Sequence, residues 1–189
     1  MITQVKDFVS TIVEDVRTTT FVTGRVSSGK WLSGAPYFFH GTPIEINNIL
    51  SKVRKGKQKF PAVFLFEPIS TGENDDRMNN IGASPQLQLY FMNDWKGQQS
   101  WDTDDHYTNI IDDMDSLKRE FIKKLKQNKN VLDVSSYSTV RHAKWGLFFN
   151  NEGNKTPVFN EMLSGVELNI TVDIDKIIDG CNLFDEYNF

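Results

Sequence analysis

At 189 residues the chain has the size of one domain, and with 39% hydrophobic and 24% charged residues its composition is globular rather than disordered. A formal net charge of -4 argues against nucleic acid as the main partner, the single cysteine, Cys181, excludes an internal disulfide, and no apolar run approaches the ~18 residues of a membrane-spanning helix. The opening Met1 to Asp7 carries a charge pair where a secretory signal needs an apolar stretch, so the expected setting is a cytosol.

Val5, Phe8, Val9, Ile12, Val13 and Val16 recur at three- and four-residue spacing and predict an amphipathic helix over 3–17. The β-branched Thr18, Thr19 and Thr20 end it. From Phe21 to Gly41, glycines and Pro36 are set among Trp31, Tyr37, Phe38 and Phe39, which predicts a strand or irregular arm with a wide loop.

Thr42-Pro43-Ile44-Glu45 spells a helix start: Thr42 caps, Pro43 takes the first position and Glu45 completes a capping box. Ile46, Ile49, Leu50 and Val53 are its expected buried stripe, and Gly56 its end. The apolar run Phe60–Phe66 predicts a central strand buried on both faces, with Pro61 at its start. Residues 69–84, rich in Gly, Asn and Asp and including Asp75 and Asp76, predict a long exposed loop. A strand follows at 86–92, and then a polar linker, 94–104, that carries Trp95 and Trp101.

The longest helix is predicted over 105–128. Tyr107, Ile110, Ile111, Met114, Leu117, Phe121, Ile122 and Leu125 share one face, with acids early and bases late to match the helix dipole. A strand is expected over 138–148 and a turn-rich segment around Gly153. The last strand alternates Val166, Leu168, Ile170, Val172 and Ile174 with Glu167, Asn169, Thr171, Asp173 and Asp175, one face core and the other wet. The expectation is one α+β domain over 1–189, with a largely antiparallel or mixed sheet of about four strands covered by helices.

Patterns that suggest chemistry are incomplete. Gly24–Lys30 matches a phosphate-binding loop, but Trp31 stands where a Ser or Thr must reach magnesium. His40, His106 and His142 lack zinc-site spacing, the acids of 102–105 lack the glycine turn of a calcium loop, and Cys181 has acids rather than bases nearby. The expectation is therefore no catalytic residue, no cofactor and no metal.

Phe39–Ile46 leading into a helix, Lys59–Glu67 as the next strand, Lys144-Trp145-Gly146 and the closing amphipathic strand occur in an order that resembles proteins from the structural modules of tailed phages and prophages, especially those of Bacteroidetes-type hosts. The order is similar to that of tail-terminator and tail-completion proteins, small α+β subunits that form a ring joining tail tube to head. The resemblance implies a virion protein of the neck or tail, made in the host cytoplasm, whose partners are copies of itself in a hexamer or dodecamer, the tail tube and other neck proteins. It implies neither membrane nor sequence-specific DNA as partner. A ring needs complementary sides, and the basic block 52–59 and acidic blocks 102–115 and 173–186 offer them. The expected subunit-contact residues are Trp31, Lys55, Lys57, Asp75, Asp76, Trp95 and Trp101. A monomeric binding module using the aromatic loop 31–39 is the alternative.

Overall fold

The computed structural model describes residues 2–17, 34–53, 59–76, 80–95, 100–149, 155–157, 162–174, 177–178 and 181–182. The glycine-rich stretch 24–30, Trp31, Lys55, Lys57 and the turn around Gly153 lie outside them.

The elements follow in the order α1 (Ile2–Asp15), β1 (Tyr37–Gly41), α2 (Pro43–Lys52), β2 (Ala62–Phe66), β3 (Ser70–Asp76) and β4 (Asn80–Asp94). Then α3 (Thr103–His106) runs through a π-helical turn, Tyr107–Ile111, into α4 (Asp112–Gln127), and β5 (Val131–Trp145) to β10 complete the chain. The class is the expected one, α+β with a mixed sheet. The sheet has six strands rather than about four: β1-β2-β4-β8-β5, with β3 beside β4 and β8 spanning Leu163–Ile174. Among the described residues only β1 and β2 are parallel, joined through α2; the other pairings are antiparallel. Two short ladders, β6 (Leu147–Phe149) with β7 (Lys155–Pro157) and β9 (Ile177–Ile178) with β10 (Cys181–Asn182), lie apart from it.

Helices cover both faces of the sheet. Alternate residues of β2, β4 and β8 send Val63, Leu89, Phe91, Val166 and Leu168 toward α1 and α4. Their neighbours Phe64, Tyr90, Met92 and Leu163 meet Ile46 and Leu50 of α2 on the other side. The stripe read for α1 is buried throughout. In α2 only Ile46 and Leu50 are buried, because ten residues lying over one end of the sheet leave Ile49 on the outer flank.

The capping box at α2 forms as the sequence spells it, with Thr42 N–H donating to Glu45 Oε2 (2.8 Å) and Glu45 N–H to Thr42 Oγ1 (3.4 Å). Hydrogen bonds from the Thr42 backbone, then from its hydroxyl, hold the Glu45 carboxyl below its usual range. Gly41 enters the turn at a φ of 135°, where a side chain would press on Glu45.

The stretch 69–84 departs most from expectation. Instead of a loop it is a β-hairpin, β3 pairing with the first half of β4 from Ser70 opposite Gln86 to Asp76 opposite Asn80. A polar composition removes the hydrophobic signal of a strand but not the backbone hydrogen bonding, and β4 supplies the template. The hairpin runs past the end of β8, whose Ile174 lies opposite Ala83. Among the described residues no helix is long and apolar enough to cross a membrane.

Candidate assembly surfaces

Trp95 and Trp101, expected on an exposed linker, are buried. Their rings flank His106, each edge-to-face, with centroids 4.8 Å and 5.5 Å away. In the π-helical turn that follows, Ile110 and Ile111 are buried as expected, whereas Tyr107, expected inside, is exposed. Asp102 caps α3 by accepting from Asp105 N–H (2.9 Å), so this acid serves the helix start.

The buried polar bonds fix the His106 tautomer. Ser164 Oγ donates its only proton to the Ala143 carbonyl, so its contact with His106 Nδ1 at 2.8 Å must be donated by the ring. Nε2 is then a bare acceptor, and neither it nor Trp95 Nε1 has a hydrogen-bond partner among the described residues. Burial, and then the charge of Lys144, push the His106 ring down to about 4, with Asp105 and Asp102 opposing.

A depressed base has a definite consequence for acid stability. The unfolded chain binds a proton at His106 near pH 6.5 and the folded chain only near 4, so stability is lost across that interval as pH falls, by about 3 kcal/mol. Asp113, which burial and then neighbouring Asp112 raise to about 6, works in the opposite direction. Chemical denaturation of wild type and His106→Asn at pH 7 and pH 4 isolates the histidine. The variant is expected to lose about 3 kcal/mol less than wild type over that range, and equal losses would contradict the assignment.

A second polar cluster joins α4 to β5. Asp115 is buried and binds Lys118 Nζ (2.6 Å) and Arg119 (2.5 Å), with Arg141 of β5 at 3.6 Å. Lys118, also buried, donates to Thr139 Oγ1 at 3.3 Å. Burial alone would raise the Asp115 carboxyl, but hydrogen bonds from Lys118 and Arg119 and their charges outweigh it and hold it low. Part of the acidic block read as a docking surface is thus consumed inside the subunit. Asp75 and Asp76 lie in β3 near the free end of the hairpin.

Beyond α2 the sheet face opens into a cleft of about 560 Å³, whose lining includes Gln86 and Gln88 of β4, Asn169 and Thr171 of β8, and Ser136 and Ser138 of β5. At the α2 side of this face, Glu167 is buried rather than wet, enclosed by neighbouring side chains. Gln88 (3.1 Å), Asn169 (2.8 Å) and His142 (2.9 Å) surround its carboxylate. Burial would raise Glu167, but the bonds from Asn169, Gln88 and His142 keep it low. The Tyr90 hydroxyl, bonded by Gln88 at 2.9 Å, is raised by burial and then by Glu167. A smaller cleft, about 410 Å³, lies beside α2 and contains the His40–Glu67 contact of 2.7 Å.

Sequence reasoning missed the distribution of exposed apolar side chains. Tyr37 lies on end strand β1 and Leu132, Tyr137 and Val140 on end strand β5, while Ile44 and Ile49 lie on α2 and Tyr107 and Met162 are exposed elsewhere. Ile44 is 72% exposed and Leu132 63%, in a chain with a sizeable buried core. With four strand spacings of about 4.8 Å between β1 and β5, the ends are roughly 19 Å apart. No single stretch of sequence carries this pattern, because it depends on which strands become the sheet's edges. Of the described part of the aromatic loop, residues 34–39, Tyr37–Phe39 belong to strand β1, with Phe38 and Phe39 packed against the two cores.

Comparison with protein-family models finds no match, and comparison with curated proteins finds none either.

Proposed function

We propose that the chain is a non-enzymatic structural subunit of a tailed-phage neck or tail, a tail terminator or head-to-tail connector that acts by assembling into a ring and docking on the tail tube and neck proteins. The phage setting rests on the resemblance in residue order described above. The assembly rests on one observation, that the two end strands of one sheet carry different exposed apolar side chains, Tyr37 on β1 and Leu132, Tyr137 and Val140 on β5. A subunit that closes a ring needs two unlike surfaces facing opposite ways, whereas a two-fold dimer needs one self-complementary surface. Solvent-exposed apolar side chains on end strands are suited to subunit contact.

End-blocked variants test this. Tyr37→Glu spoils one end and Val140→Glu the other, and each alone is expected to weaken self-association by about tenfold or more. Mixed, they still offer one intact end each, so light scattering is expected to show a heterodimer that grows no further. A mixture that stays monomeric while wild type assembles would contradict head-to-tail contact.

A further inference from the structure

We infer that neighbouring copies join by continuing the sheet: the stretch Ser136–His142 of β5 in one copy adds antiparallel to β1, Tyr37–Gly41, of the next. This rests on the assembly reading above and specifies its contact. β1 and β5 are the two terminal strands of the path, and among the described residues no strand pairs with the outer edge of β5.

Strand direction is the first argument. β1 runs with β2, and each step from β2 to β4, β8 and β5 reverses direction, so β1 and β5 run oppositely. Two copies side by side in one orientation therefore bring β5 against β1 as an antiparallel pair. A short β1 can be accommodated because β5, at 15 residues, is long enough to contain its whole length.

The second argument is the edge itself. The register of β5 with β8 shifts between Val131 and Asp133, between Val134 and Ser136 and between His142 and Trp145, which leaves a regular stretch from Ser136 to His142. Bulges protect edges, as do Lys and Pro. The ends of β5 have bulges, and the regular middle has no bulge, Lys or Pro.

The third argument is facing. Val140 lies opposite Glu167 and so on the α2 side of the sheet, whereas Thr139 meets Lys118 on the α4 side. Phe39 packs with the α2-side core and Phe38 with the α4-side core, which places Tyr37 on the α2 side. Setting Tyr37 opposite Val140 therefore matches faces along both strands and forms an aromatic to β-branched cross-strand pair from two exposed side chains.

Thiol pairing reads this register directly. Tyr37→Cys and Val140→Cys, each made with Cys181→Ser, are oxidised alone and mixed, and the masses of the reduced samples are followed by light scattering. A disulfide-linked heterodimer in the mixture and none in either variant alone is expected, together with amide hydrogen exchange in residues 136–142 slowed about tenfold or more on assembly. Oligomers without the cross-link or the slowed exchange would overturn the strand pairing and leave head-to-tail assembly standing. A cross-link in Val140→Cys alone would overturn it in favour of β5 pairing with itself, and failure of the wild-type chain to assemble would overturn both.

Discussion

Replacing Gly165 with alanine is expected to destabilise the fold by more than about 3 kcal/mol, the upper range for forcing atoms into a packed interior. Gly165 sits in β8, opposite Met92 of β4 and His142 of β5. A methyl group there would fall 2.0 Å from the Phe91 carbonyl oxygen and 2.8 Å from Met92 Sδ. The sulfur can move, but the carbonyl belongs to the strand ladder on which both cores are built. For a chain of this length that cost corresponds to a fall in Tm of at least about 6 °C. A Tm within about 1 °C of wild type would show that the two strands can separate more easily than their packing implies.

Asp115→Ala is expected to cost about 3–5 kcal/mol, because it leaves the buried Lys118 ammonium without its carboxylate. Thr139 Oγ1 remains, at 3.3 Å, as a neutral acceptor. Arg119 and Arg141 lose a partner too, but both are well exposed and can be hydrated. If the uncompensated charge is the cause, removing it as well should restore stability. Asp115→Leu combined with Lys118→Met is expected to recover most of the loss in urea denaturation. A double variant as weak as Asp115→Ala would instead place the cost in the geometry linking α4 to β5.

The elements written most clearly in the sequence are those whose signal is local. The Thr42 to Glu45 capping box needs four consecutive residues, and the alternation of β8 and the apolar run of β2 need only their own strands. β5 was legible only in its second half, since the register shifts between Val131 and Ser136 break the two-residue period there. The β3–β4 hairpin was hidden because its strand character comes from its partner rather than its composition.

The candidate contact residues were harder to read. Trp95 and Trp101 stand among polar residues that signal a loop, yet both close on His106, whose inward position comes with a π-helical turn that no regular helical period contains. The exposed ends of the sheet were invisible for a different reason. Val140 sits in a predicted strand with nothing to mark it as exposed until strand order shows that, among the described residues, β5 has a neighbour on one side only. His106 had no signal beyond its place between an acidic cap and an apolar stripe.

The proposed assembly rests on a well-packed subunit whose two end strands carry unlike exposed apolar side chains. The ends make self-association the first property to measure. Light scattering on the purified chain across concentration and salt is expected to show species larger than 21.7 kDa, in whole multiples and increasing with concentration. A mass that stays at one subunit under all those conditions would contradict assembly through the two ends of the sheet.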